Sequence, residues 1–310
     1  LHHSAPHWVP RLLSAPLSDG HHIRLHFHSR GAIGNLFLEP QLSLESHAKA
    51  AVMLRVRAVG LNFRDVLNVL GEYPGDPGPP GGDASGAVSK TDAPTLFAHG
   101  AQTFGLCDAS LASLACTSAM MLAHKPTTLT YEQVCTLPST WCTTHALLRL
   151  ARLHAGQSIV VHAAAGGVGL NVTEYAQWLS AWTRGTAGRP HKHAQLHLRA
   201  LDALSSSRDG TAFAASTARQ LGARRLHAVI NSLSSDFIAV SFELLAEGGT
   251  FQEMGKRNIW AIHRQAASAP VTAYCVIALD ADISLDPRWM HDTLTLLTGR
   301  AVAQTVTSLP

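Results

Sequence analysis

Residues 158–169 read SIVVHAAAGGVG. A short apolar stretch, 158–162, has the composition of a buried strand, and the run that follows the glycines, to about residue 181, has that of a helix. Between them lies Ala163-Ala-Ala-Gly166-Gly167-Val168-Gly169, a turn of small residues. Such a turn bends sharply and lets a pyrophosphate approach the backbone, while the helix that follows offers unpaired N–H groups and the positive end of its dipole. Alanine stands where the first glycine of the usual spacing belongs, so the strand–turn–helix context carries more weight than the motif. The reading is a dinucleotide-binding loop, with Ala163, Gly166, Gly167, Val168 and Gly169 against the cofactor; the plainer alternative is a structural turn.

Strand and helix candidates alternate after this loop. Residues 226–231, 250–254 and 271–279 read as strands, and 211–221 and 236–245 as helices. That alternation predicts a doubly wound parallel sheet, a Rossmann architecture. The second strand of the unit is weak: WTR (182–184) is all that represents it. Before the loop the chain is β-rich. Residues 22–27 alternate, 51–59 (AVMLRVRAV) suit a ladder, and a helical stretch covers about 130–153. Residues 71–86 (GEYPGDPGPPGGDASG) hold six glycines and four prolines and predict a long loop. Loops of that length inside a domain are usually functional.

An NAD site places an acid about 20 residues beyond the glycines, on the ribose 2′-hydroxyl. Residues 182–193 (WTRGTAGRPHKH) hold no Asp or Glu but do hold Arg184, Arg189 and Lys192. Cations there suit a 2′-phosphate and favour NADP(H), with Arg184 and Lys192 as cofactor contacts; a solvated basic loop is the alternative.

The chain has 310 residues, 46% hydrophobic and 15% charged, a globular composition with room for two domains. The net charge of +3 is scattered, which argues against a nucleic-acid surface. No apolar run approaches membrane-spanning length. Five cysteines without a CxxC pair point to reduced thiols and an intracellular compartment, cytoplasmic or organellar. Of nineteen histidines, ten fall within 2–28 and 191–197; a zinc reading is open, and compositional bias is the simpler one. The sequence begins at Leu1, as expected of a fragment of something longer.

Several motifs then occur in one order: VRAVGLNFRDVLNVL (56–70), GDASG (82–86), the loop 163–169, NSL (231–233) and EMGK (253–256). In this combination the sequence resembles the enoyl-reductase domains of polyketide synthases and animal-type fatty-acid synthases, in the zinc-free, quinone-oxidoreductase-like branch of the medium-chain dehydrogenase/reductase superfamily. The resemblance implies a GroES-like β-rich substrate domain (22–135) after a linker (1–21), an NADP-binding Rossmann domain (136–275), and a C-terminally truncated start of a return to the first domain (276–310). The active site would lie in the cleft between them. The implied reaction is hydride transfer from NADPH to the β-carbon of a trans-2-enoyl group on an acyl-carrier protein, followed by α-carbon protonation, among neighbouring synthase domains.

Site residues follow from the same match. Tyr73 in GEYPG would deliver a proton or bias stereochemistry. Lys256 in EMGK would donate a proton or stabilise the enolate, and Asp280, at the end of strand 271–280, would pair with the lysine. Asn62, Thr143, Asn231, Leu233, Met254 and Gly255 would join the glycine loop around the cofactor. Asn62 and Asp83 stand where the zinc-binding branch has its Cys and His, so no metal is expected. The family pattern is shortened within 139–147 and 86–103. A free-standing quinone or alkenal reductase, and a degenerate non-catalytic module of a synthase, are the competing readings.

Overall fold

The computed structural model describes residues 22–41, 50–234, 236–255 and 259–310. The β-rich unit opens with an antiparallel pair, β1 (Ile23–Phe27) and β2 (Leu36–Pro40), where Ile23 stands opposite Pro40 and Phe27 opposite Leu36. β3 (Ala51–Gly60) follows, with Val52 and Leu54 fully buried. The next helix, α1 (Phe63–Leu70), is closed at both ends: the Asp65 carboxylate accepts from the Asn62 N–H at 2.8 Å, and Gly71 ends it at φ 72°. That positive φ suits glycine.

β4 (Asp83–Thr91), β5 (Gln102–Leu106), β6 (Leu114–Ser118) and β7 (Leu122–His124) complete an antiparallel five-stranded sheet in the order β6-β3-β4-β5-β7. Because β4 begins at Asp83, the glycine- and proline-rich loop ends at Gly82, four residues short of the expected 86. The helical stretch expected over 130–153 is two helices, α2 (Tyr131–Val134) and α3 (Pro138–Ala151). Pro138 lacks the N–H a continuous helix needs and starts the second one at N1.

The second unit runs β8 (Ser158–Val161), α4 (Gly167–Trp178), β9 (Trp182–Ala187), α5 (Pro190–His197), β10 (Ala203–Ser206), α6 (Gly210–Leu221), β11 (Leu226–Asn231), α7 (Asp236–Leu244), β12 (Leu245–Glu253), α8 (Ile262–Ser268) and β13 (Ala273–Val276). Its six strands are parallel in the order β10-β9-β8-β11-β12-β13. Strand order reverses between β8 and β11, which marks the crevice beyond their carboxyl ends as the place for a ligand. One face of the sheet packs Ile159, Val161, Ala228 and Ile230 against α3 and α4. The other packs Val160, Val229 and Phe251 against Phe213, Phe237 and Phe242.

β9 overturns the expectation of a weak second strand: it is six residues long and buried from Thr183 to Ala187. Its polar residues find partners in their neighbours. Thr183 N donates to Asp202 at 2.7 Å, and Thr186 Oγ1 accepts from Ala163 N at 3.1 Å. Gly185 leaves room that a Cβ would take from Leu201, 2.6 Å from its position.

After β13 come α9 (Leu279–Leu285) and α10 (Pro287–Val302). α10 crosses back to the β-rich unit, with His291 Nδ1 2.8 Å from the Leu122 carbonyl and Thr298 Oγ1 donating to the His124 carbonyl at 2.9 Å. Phe104 and Ala123 from the β-rich sheet, Trp141 and Cys142 from α3, and Met290, Leu294 and Leu297 from α10 form one buried cluster shared by both units.

Candidate active site

The turn after β8 is built as a helix-terminus cradle. Ala163 takes the left-handed backbone (φ 50°) at the position of the missing glycine, and its carbonyl accepts from Gly166 N at 2.9 Å. Gly166 caps α4, so the amides at the start of that helix have no partner within it. The glycines differ in what they permit. A Cβ on Gly166 would meet only the Ala163 carbonyl, at 3.3 Å, whereas one on Gly169 would lie 2.6 Å from the Ala164 backbone. Gly169 therefore serves the close packing of α4 on the turn that precedes it. His162, just before the turn, is fully buried between Phe213 and Phe237 with Ser241 Oγ at 2.9 Å; burial pushes its pKa down to about 3, so it stays neutral.

A cleft of about 640 Å³ opens between the units. Asn62, Arg64 and Tyr73 contribute from the β-rich side, Thr143 and Val168 from α3 and α4, and Met254, Ile277 and Asp280 from the ends of the later strands and α9. A second hollow of about 380 Å³ adjoins it at the glycine loop, sharing Asn62, Phe63, Thr140 and Val168.

Tyr73 and Asp280 lie far apart in sequence, yet the Tyr73 hydroxyl donates to Asp280 Oδ2 at 3.0 Å. Asp280 stands in the first turn of α9, a correction to the strand-end position expected, because β13 stops at Val276. Arg64 joins the pair. Its guanidinium lies 5.6 Å from the Tyr73 ring centroid, and its Nε is 3.9 Å from Asp280 Oδ2. Burial raises the Tyr73 pKa, the Asp280 charge and hydrogen bond raise it further, and Arg64 opposes them.

Next to Met254, Glu253 is buried, 1% exposed. Its carboxylate accepts from Asn231 Nδ2 and from Gly255 N, both at 2.6 Å, and the Asn231 side chain also bonds Leu233 N and O. Burial raises the Glu253 pKa against these hydrogen bonds. Asn231, Leu233, Met254 and Gly255 are thus gathered at the ends of β11 and β12. Lys256 lies outside the described residues.

Asp83 lies at the seam of the two units. Its buried carboxylate accepts from Ser139 N at 3.0 Å and Ser139 Oγ at 2.5 Å, at the start of α3, and hydrogen-bonds the Asn62 side chain. Burial pushes its pKa up to about 7, with those hydrogen bonds opposing. Asn62 is therefore engaged with its own turn and with Asp83.

The cations fall differently from the expectation. Arg184 is inside β9 rather than in a loop, 7% exposed, with its guanidinium directed to Gln220 of α6 at 3.5 Å. Arg189 and Lys192 remain exposed beyond the carboxyl end of β9. Arg208, which sequence reasoning missed, joins them from the end of β10: a Cβ on Gly188 would lie 2.6 Å from Arg208 Nε. No sequence signal marks Arg208, because β9–β10 pairing alone brings it there. Arg64 and Glu253 stand inside quoted motifs, and their roles emerge only from their contacts.

No protein-family model matches the chain. Erythronolide synthase EryA2 of Saccharopolyspora erythraea is 39% identical over 234 residues, which is 74% of this chain and 6% of that protein. The highly reducing polyketide synthase ZEA2 of Gibberella zeae is 34% identical over 246 residues, 77% of this chain and 10% of that protein. The chain thus spans a small part of the curated relatives it matches. Among solved structures, the CurK enoyl reductase superposes with a TM-score of 0.86 at 28% identity, covering 93% of this chain and 90% of that one. The mycobacterial protein Rv1454c, solved with NADPH, shares the fold at a TM-score of 0.81 and 22% identity over 93% of this chain and 90% of that one.

Proposed function

Since the chain belongs with the enoyl-reductase domains of polyketide synthases, in the medium-chain dehydrogenase/reductase superfamily, we propose that it is an NADPH-dependent enoyl-thioester reductase acting on an acyl-carrier-bound substrate inside such a synthase. The observation that carries this reading is the pair of adjoining hollows, one at the glycine-loop helix and one holding the Tyr73–Asp280 pair. A dinucleotide at one end and an acyl chain at the other would meet beside Thr143, Val168 and Met254.

The residues present fit NADPH. The amides of Gly166, Gly167 and Val168 at the α4 N-terminus suit a pyrophosphate, and a Cβ on Gly166 would enter that cradle without striking a side chain. Arg189, Lys192 and Arg208 gather cationic charge where a 2′-phosphate would sit. When bound, NADPH supplies the hydride delivered to the β-carbon. The protein's part is to orient the enoyl group, keep water from the groove and manage the proton. As hydride arrives the thioester oxygen gains negative charge, and donors near it lower the barrier. Tyr73 and Lys256 are the proposed proton-handling groups at the α-carbon.

The test is NADPH oxidation by the purified protein with a trans-2-enoyl pantetheine thioester, with the saturated thioester and a quinone as controls. Consumption specific to the enoyl thioester supports the reading. Equal turnover with a quinone alone would point to the free-standing reductase class, and binding of NADPH without any turnover to a non-catalytic module.

A further inference from the structure

Tyr73 is held from two directions. Asp280, brought by α9, accepts a hydrogen bond from its hydroxyl at 3.0 Å, and Arg64, brought by α1, lies against its ring. A tyrosine hydroxyl has one proton to give and two lone pairs to offer. With the proton committed to Asp280, any other partner of the oxygen meets an acceptor. Of the other carboxylates lining the cleft, Asp76 is bound at 2.7 Å by Arg30 and Asp65 accepts from the Asn62 and Gly81 amides, while Asp108 stands on the same wall.

We propose that Asp280 and Arg64 are positioning residues for Tyr73, turning its hydroxyl proton away from the bound acyl group, so that α-carbon protonation from the Tyr73 side requires the Asp280 bond to be given up. This rests on the proposed role of Tyr73 in the reaction. The arrangement spans the cleft, because Tyr73 and Arg64 belong to the β-rich unit and Asp280 to the segment after the parallel sheet. It also assigns Asp280 a partner other than a lysine. If Tyr73 does give its proton to the α-carbon, a C–H bond forms as the O–H bond breaks, and the phenolate is left beside the Asp280 carboxylate. Arg64 is the cation placed to offset that charge.

Two measurements test this separately. The first needs no turnover: spectrophotometric titration of tyrosinate, with Tyr73→Phe subtracted so that Tyr73 alone is read among the four tyrosines. Tyr73 should ionise above the ordinary tyrosine value, lower in Asp280→Ala and higher in Arg64→Met. A Tyr73 titration unchanged in Asp280→Ala would overturn the proposal. The second is the α-configuration of the product from a 2-methyl-enoyl thioester. Asp280→Ala should change the ratio of configurations roughly threefold or more, as expected for loss of one hydrogen bond to a charged group. Asp280→Asn, whose carbonyl can still accept the bond, should restore the parent ratio. Adding Tyr73→Phe to Asp280→Ala should give the ratio of Tyr73→Phe alone. If Tyr73→Phe alters the configuration and Asp280→Ala does not, the positioning role is refuted. If Tyr73→Phe changes neither rate nor configuration, the proposed role of Tyr73 fails, and the titration alone decides whether Asp280 and Arg64 hold it.

Discussion

Single residues in the groove divide by the space around them. A Cβ on Gly166 would press only on the Ala163 carbonyl, at 3.3 Å, whereas one on Gly169 would strike the Ala164 backbone at 2.6 Å. Gly166→Val should therefore give a folded protein that no longer binds NADPH, because the branched side chain occupies the pyrophosphate path. Gly169→Val should fail to fold, since backbone contacts at 2.6 Å leave nothing to move. Circular dichroism with calorimetric titration separates the two, and a folded Gly166→Val that binds normally would reduce the loop to a turn. The cations carry a second expectation. Arg208→Glu should erase any preference for NADPH over NADH by setting an anion beside Gly188, and Lys192→Glu should act in the same sense. Arg184→Glu should instead cost stability, because its side chain is buried against α6. The glycine loop and the motif residues were legible in sequence because their chemistry is local. Arg208 was not, because its neighbours come from the next strand.

At the scale of elements, α3 depends on a carboxylate from another unit. Leu137, its N-cap residue, supplies no side-chain hydrogen bond, and Asp83 from β4 meets the Ser139 amide instead. The Asp83 pKa in the fold, about 7, lies above the unfolded value of roughly 4. A raised pKa means the fold favours the neutral carboxyl. Its contribution is fully present below about pH 4, falls as the pH rises toward 7, and is gone above that. Asp83→Asn stays neutral throughout, so its denaturation midpoint should lack the decline between about pH 4 and 7 that the parent shows. Parallel slopes for the two proteins would remove Asp83 from the account. β9 carries the corresponding lesson about legibility. WTRGTA offers little hydrophobic pattern, and the strand exists because β8 and β10 pair with it on both sides while Asp202 and Ala163 satisfy its polar atoms. The break before Pro138, by contrast, is a local property and is readable from the proline itself.

For the whole molecule, the cluster around Trp141 joins the β-rich sheet, α3 and α10 into one core. Leu294 is fully buried there, and Leu294→Ala should cost about 2–5 kcal/mol. Because that core belongs to both units, the loss should lower a single unfolding transition; a variant whose β-rich unit melts separately would show the cluster to be less shared than its packing indicates. What the sequence determined by itself was the alternation of strands and helices after residue 158, the small-residue turn that opens it, and the resemblance to a family. Those depend on residues close together in the chain: small residues in a turn, apolar periodicity and short motifs. What only the tertiary structure decided was which distant groups meet. Tyr73 finds Asp280 across 207 positions, Glu253 ties the ends of two strands, and Arg184 turns inward while Arg208 comes against Gly188. The physical reason is that pairing register and burial choose a side chain's neighbours, and neither is written in the spacing of residues along the chain.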